Sequence, residues 1–286
     1  HSFQIQEFRR PEFEVTARNE EKGPFFVGDD AVVAISAQYY AGGPLPGAET
    51  TWTVSSSPSS YSPPGWPDFT FGQWTPWWGF SDMGYGYGGS AGGGNAQTYT
   101  GKTDAAGVHY LRMNFDGIAP TPGATEPAQP RPYSVVADGV VMDVNRQAWA
   151  STTSLLVHPA DRYVGLRSDR TFVERGEPLV IEAIVTDLDG NAFADYPINL
   201  QAARLEWKYS QGQWREEAAD TQECTVTSQT EPVTCEFKTD LGGAYRITAT
   251  VRDDRERLNE SEFTRWVSGG KWPAARNVEQ EQLTLI

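Results

Sequence analysis

PFFVGDDAVVAISAQYYAGGPLPGA at residues 24–48 and RTFVERGEPLVIEAIVTDLDGNAFADYP at residues 170–197 read as one device used twice. In each, an aromatic residue, a valine and a glycine lead into an alternating apolar run, and a turn rich in Gly, Pro, Asp or Asn follows. Phe26, Val27 and Gly28 match Phe172, Val173 and Gly176. Period-two alternation between Gly/Pro turns specifies antiparallel strands with one buried face. A second echo sets KTDAAGVHYLRMNF at 102–115 against KTDLGGAYRITATV at 238–251. In each TDxxG the Asp carboxylate can bond backbone amides and the Gly can take a positive φ, which turns the chain into an antiparallel strand. An ordered repeat within 286 residues implies two similar domains.

Strand-like runs are expected at 13–18, 31–40, 49–54, 108–115, 133–144 and 151–158. A second set falls at 162–167, 179–186, 198–207, 224–227, 234–238, 244–251 and 262–267. Each set suits a seven-stranded sandwich. The fold class is therefore all-β, with two consecutive immunoglobulin/fibronectin-like antiparallel β-sandwiches. The first occupies residues 1–158 and carries an insertion at about 55–101; the second occupies 159–272, and VHPAD at 157–161 is the joint. Residues 273–286 read as a linker and the first strand of a following domain, because VEQEQLTLI at 278–286 alternates. Both ends read as those of a piece of a longer chain.

The formal charge of -15 is spread evenly, with 8 Lys or Arg against 15 Asp or Glu in residues 1–158 and 15 against 23 in the remainder. No basic patch recruits nucleic acid, and the acidic balance disfavours anionic membrane surfaces. No run of apolar residues is long enough to span a bilayer. Two cysteines occur, Cys224 and Cys235, in ECTVTSQTEPVTCEF at 223–237. A disulfide between neighbouring strands fits this spacing and would imply an oxidising compartment; two buried free thiols in a reducing one is the alternative.

Catalytic and metal signatures are weak. His109 lies in a strand and His158 precedes Pro159 at the joint, so neither reads as a triad histidine. Asp29-Asp30, Asp187/Asp189 and Asp253-Asp254 are acidic pairs in turns. TDLDGN at 186–191 is the best cation candidate, yet it lacks the later bidentate Glu of a calcium loop and reads as a plain Asp-Gly-Asn hairpin turn. We expect no enzyme, no cofactor and no metal.

The insertion is the strongest chemical signal. Residues 62–94 hold 10 Gly and 9 aromatics. Exposed indoles at Trp74, Trp77 and Trp78, with Phe80, would make an interaction surface for a glycan or a protein; the alternative is that the rings pin the insertion down. Because burying each ring removes roughly 150–250 Å² from water, we expect Trp66, Phe69 and Phe71 to pack on the first sandwich, and residues 84–94 to form a mobile tail.

EFRRPEFEV at 7–15 resembles the entry to the third macroglobulin-like domain of the complement and alpha-2-macroglobulin superfamily. YAGGPLPGA at 40–48 resembles that domain's hairpin, and GWPDFTFG at 65–72 points to the bacterial branch. The resemblance covers nearly all of residues 3–272 and implies the third and fourth macroglobulin-like domains of a bacterial alpha-2-macroglobulin. It further implies a periplasmic or cell-surface inhibitor that cages proteases, with the thioester and bait region lying elsewhere. Neither Cys224 nor Cys235 is in a Cys-x-Glu-Gln setting, so scaffold is what carries over. Its partners would be neighbouring domains of the same polypeptide and, through the full-length protein, target proteases. A glycan- or protein-binding surface module built on the Trp-rich insertion is the competing reading.

Overall fold

A computed structural model describes residues 12–73, 96–116, 130–210 and 213–269. The described chain is all-β. Its first half runs through β1 (Phe13–Asn19), β2 (Phe25–Phe26), β3 (Asp30–Tyr39) and β4 (Glu49–Pro58). Next come β5 (Thr70–Phe71), β6 (Gln97–Lys102), β7 (Val108–Asn114), β8 (Tyr133–Met142) and β9 (Ala148–His158). The second half holds β10 (Tyr163–Arg167), β11 (Phe172–Val173), β12 (Leu179–Thr186) and β13 (Pro197–Ser210). It closes with β14 (Gln213–Thr227), β15 (Val233–Phe237), β16 (Gly243–Arg252) and β17 (Leu258–Val267).

The chain divides into two compact units. Among the described residues, 12–59, 96–116 and 133–158 form the first; 60–73, 130–132 and everything from Pro159 onward form the second. Unit 1 pairs a three-stranded sheet, β1-β3-β7, with a five-stranded sheet, β2-β9-β8-β4-β6. Unit 2 repeats this order strand for strand as β10-β12-β15 and β11-β17-β16-β13-β14, and adds β5 beyond β10. Among the described residues each sandwich thus has eight strands of its own; the expected runs left out β6 and also β2 and β11, two-residue parallel strands too short to alternate visibly.

Alternation builds the cores. In β8, Tyr133, Val135, Ala137 and Val141 point inward, and in β16 the same role falls to Tyr245, Ile247, Ala249 and Val251. Trp52 is fully buried at the centre of unit 1. Gly139 makes room for it, since a Cβ there would lie 2.5 Å from Ile35 Cδ1 and 3.1 Å from the indole. Strand β14 begins eleven residues before the expected start, because Glu, Ala and Asp have poor strand propensity and pairing with β13 overrides it.

The two TDxxG turns do not occupy equivalent places. The first joins β6 to β7, whereas the second joins β15 to β16, whose counterparts in unit 1 are β7 and β8. The expected positional repeat is therefore corrected for this pair: an Asp-Gly turn is a local device that serves any tight connection and carries no information on topology.

A two-sheet sandwich has two open flanks. In unit 1 the β6–β7 flank is closed by His109, whose ring covers the backbone of Gly101; a Cβ at Gly101 would fall 2.1 Å from His109 Nε2. Trp52 Nε1–H donates to His109 Nδ1 at 3.0 Å, so the neutral ring is the form that fits. In unit 2 the corresponding β14–β15 flank is closed by the Cys224–Cys235 disulfide, with Cα atoms 6.3 Å apart. The expected bond between neighbouring strands is present, and because these strands belong to different sheets it joins the two layers. The chain crosses between sheets at 228–232, which adjacency in sequence conceals. Each remaining flank is stitched from last strand to first: Ala17 N–H donates to Ser151 Oγ (2.9 Å) in unit 1. In unit 2, Val164 N–H donates to Asn259 Oδ1 (2.9 Å), and Ser261 Oγ–H donates to the Val164 carbonyl (2.5 Å).

Burial holds the imidazole of His109 below its ordinary pKa and pushes that of His158 down to about 4. The unfolded chain consequently takes up protons that the fold refuses. The stability contributed by both rings is present above the unfolded histidine pKa and is lost as pH falls toward about 4 for His158. Urea unfolding between about pH 7 and pH 4 should show stability falling by up to about 1.4 kcal/mol per pH unit per histidine, and His158→Phe should make the slope shallower. Opening the disulfide with reductant, or by Cys224→Ser with Cys235→Ser, should lower the unfolding free energy by roughly 3 kcal/mol, from the entropy of a loop of this length.

Candidate functional site: the docked insertion

Strand β10, with the sequence YVGLR, has four consecutive buried residues, Tyr163 to Leu166. Its counterpart β1 alternates buried and exposed positions, with Glu14, Thr16 and Arg18 facing outward. A strand apolar on both faces needs cover on both, and residues 60–73 supply the second cover. They lie between β4 and β6 in sequence, yet they belong to unit 2. The expectation that Trp66, Phe69 and Phe71 pack on the first sandwich is corrected accordingly: the apolar surface open to them is the outer side of β10.

The docking is specific at the backbone. Phe71 pairs with Gly165 and Thr70 with Leu166, which adds β5 antiparallel to the edge of β10. Gly72 then crosses to the other sheet, its amide donating to Ser261 Oγ (2.8 Å) and its carbonyl accepting from the Glu262 amide (3.0 Å). A single short segment thereby satisfies the edge of one sheet and spans to the next, which removes an unpaired strand edge.

Side chains complete the seam. Phe69 (8% exposed), Phe71 (5%), Tyr163 (1%) and Ile184 (0%) form a core of their own, with Tyr61, Trp66 and Leu188 packed against it. Trp66 and Phe69 meet edge to face with centroids 5.4 Å apart, as do Tyr61 and Tyr163 at 5.5 Å. The Arg167 guanidinium lies 4.8 Å from the centre of the Phe69 ring. Gly165 is a requirement of this arrangement: a Cβ there would stand 2.6 Å from the Phe71 ring.

The TDLDGN turn is the other half of the dock. Asp187 Oδ1 accepts the Asn191 amide (2.8 Å) and Asp187 Oδ2 accepts from Asn191 Nδ2 (2.9 Å), so this carboxylate is engaged within its own hairpin turn. The turn's carbonyls face the insertion, with Tyr61 Oη–H donating to Leu188 O (2.6 Å) and Trp66 Nε1–H to Gly190 O (2.9 Å). Burial raises the pKa of the Tyr61 phenol, reinforced by the charges of Asp189 and Asp187, and burial raises that of Tyr163 strongly; both stay neutral. Gly190 has φ of +84°, and a Cβ on it would sit 2.0 Å from the Pro64 carbonyl oxygen. Beside the seam lies an open depression of about 790 Å³. Its walls set Arg167 and Arg265 against Asp68 and Asp169, so it offers no field favouring ligands of one sign.

Of the residues singled out in the sequence, Cys224 and Cys235 are brought together as a disulfide. Trp74, Trp77, Trp78 and Phe80, and the glycine-rich residues 84–94, lie outside the described residues. Sequence reading missed Tyr61, Pro64 and Gly165. The available signal was Gly165 inside an unbroken apolar strand, which marks a close approach by other chain.

The fold and seam define a tandem of macroglobulin-like β-sandwiches, the second completed by a segment from within the first. No family model matches the chain. It is 24% identical over 280 residues to an alpha-2-macroglobulin homolog of Nostoc, covering 94% of this chain and 13% of that protein. It is 31% identical over 213 residues to a Dictyostelium discoideum protein named circularly permutated Ras protein 2, covering 70% of this chain and 5% of that protein. The chain thus spans a small fraction of the length of these relatives. Among solved structures, native Escherichia coli alpha-2-macroglobulin matches 95% of this chain at a TM-score of 0.57 and 15% identity, and the trypsin-activated form matches 96% at 0.58 and 16%. Each match covers 17% of the E. coli chain. The resemblance to the bacterial alpha-2-macroglobulin family runs along nearly the whole length of this chain, in sequence and in fold.

Gly190→Ala should push Pro64 away and loosen the seam, costing roughly 1–3 kcal/mol. Gly176→Ala is the control, because its φ of +92° is as unfavourable to a side chain while no atom lies within 4 Å of the new Cβ. Hydrogen exchange should show faster exchange at the Gly72 amide in Gly190→Ala alone.

Proposed function

We propose that the chain is a non-catalytic scaffold segment of a protease-trapping alpha-2-macroglobulin-like protein, without the thioester or bait region, working in the periplasm or at the cell surface. On this reading residues 1–158 and 159–272 are consecutive macroglobulin-like domains and 273–286 enter a following one. The partners are neighbouring domains of the same polypeptide and, through the whole protein, target proteases.

The observation that carries this reading is how the chemically capable side chains are used. Asp104, Asp143 and Asp253 each accept two backbone amides of their own turn, and Asp187 accepts one. Asp30 forms a two-point pair with Arg112. His109 accepts from Trp52, and the two cysteines are joined. These groups hold strands and turns in place. The disulfide favours an oxidising compartment.

The full-length protein should leave trypsin active on a small peptide and inactive on a protein substrate, with Asp187→Asn or His109→Gln leaving the trapped amount per folded molecule unchanged. The segment alone should neither inhibit trypsin nor hydrolyse a substrate. Inhibition by the segment alone, or saturable glycan binding lost in Trp77→Ala, would overturn the scaffold reading, the latter in favour of a binding module.

A further inference from the structure

A second connection of unit 1 also serves unit 2. Residues 130–132, which lead into β8, belong to unit 2 as residues 60–73 do. Their sequence is Pro130-Arg131-Pro132, and two prolines give the segment a fixed φ and two fewer amides to satisfy. The two borrowed segments meet over β17. Gly72, Gln73, Pro130 and Arg131 surround, together with Glu260 and Glu262, a cavity of about 20 Å³, room for roughly one water molecule. The contact is tied at the backbone, where the Glu262 amide donates to the Gly72 carbonyl (3.0 Å) and Gln73 pairs with Glu262 in parallel register.

This places two carboxyl groups under a cover. Glu260 and Glu262 are two apart on β17 and so stand on one face of the strand, opposite Thr250 and Thr248 of β16. Glu260 is half-buried. The charged groups that surround it among the described residues come from four elements. Glu262 lies beside it on β17, and Arg131 lines the same cavity. Arg246 of β16 has its Nε 3.7 Å from Glu262, Arg252 of β16 is turned to the Glu256 carbonyl, and Glu223 of β14 lies further across the sheet. Arg131 Nε is buried and makes no hydrogen bond among the described residues, so it does not serve either carboxylate. Burial first, and the charge of Glu262 after it, hold the Glu260 carboxyl above the ordinary carboxylate range.

We propose that Glu260 makes the closure of residues 72–73 and 130–131 over β17 proton-linked: the two segments hold more tightly as this carboxyl takes up a proton in mild acid, and ease as it ionises. An ionised Glu260 under the cover has a like charge beside it and little of the hydration a carboxylate has in open water. Lifting the cover restores that hydration, so opening releases the proton and closing binds it. The stabilisation is therefore gained as pH falls through the raised value and is absent above it. Its sign is opposite to that of His109 and His158, whose contribution acid removes.

The test is hydrogen exchange at the Glu262 amide, whose acceptor is the Gly72 carbonyl, followed from about pH 7 to about pH 5 and expressed as protection relative to the unfolded chain at each pH. Protection should rise severalfold on acidification, while the Ser228 amide, bonded to the Tyr196 carbonyl away from the cover, stays level. Glu260→Gln keeps the shape of the side chain and cannot ionise, so its protection should be high and flat across the same range. Glu262→Gln removes the neighbouring charge and leaves the burial, so the rise should persist with its midpoint at lower pH. Protection that is level or falls on acidification in the unmodified chain, or that rises equally in Glu260→Gln, would overturn the proposal. A rise that vanishes in Glu262→Gln would also overturn it, by assigning the proton to the other carboxyl.

Discussion

Closure of strand edges against water is the constraint on which both sandwiches depend. A layer of three strands facing a layer of five has unpaired amides at its borders and apolar residues behind them, and each of the four flanks meets this with different chemistry. A histidine over a glycine closes one, a disulfide the second, and side-chain hydrogen bonds from the last strand stitch the third. On the fourth, at β10, stitching is joined by a borrowed strand, because Tyr163 to Leu166 are apolar on both sides and hydrogen bonds alone would leave their outer face wet. The Phe71–Gly165 approach is the point at which this last closure is decided, since any larger residue at 165 meets the ring.

The two units consequently answer to different conditions. In unit 1 the β6–β7 clasp is a neutral imidazole that accepts from an indole, which acid weakens by protonating the acceptor. In unit 2 the equivalent clasp is covalent and is indifferent to acid but sensitive to reductant. The clasp of the first unit therefore responds to acid and that of the second to reductant.

The fold was largely legible because each main strand carries its own alternation, as in DAVVAISAQY and GAYRITATVR, and alternation depends on nothing beyond one wet face and one dry face. What sequence concealed is where long-range geometry overrides local signal. Cys224 and Cys235 read as a pair on neighbouring strands because they flank a turn, but the alternation does not tell that this turn changes sheets. KTDAAG and KTDLGG read as a positional repeat because identical turn chemistry serves non-equivalent connections. Residues 66–71 advertised their need for burial through Trp66, Phe69 and Phe71 but not their destination. The destination was written ninety-odd residues away, in the unbroken run Tyr163-Val164-Gly165-Leu166, and only the two stretches taken together identify donor and acceptor.

That separation has a temporal side. Translation proceeds at about 5–20 residues per second, so Phe69 and Phe71 emerge several seconds before the β10 residues they cover have been made. During that interval their rings have no native surface, and the first sandwich must form around a loop whose apolar content belongs elsewhere. The length of that interval is set by the time it takes to make residues 72–163, so apolar side chains placed early in the chain wait on the synthesis of the strand that receives them.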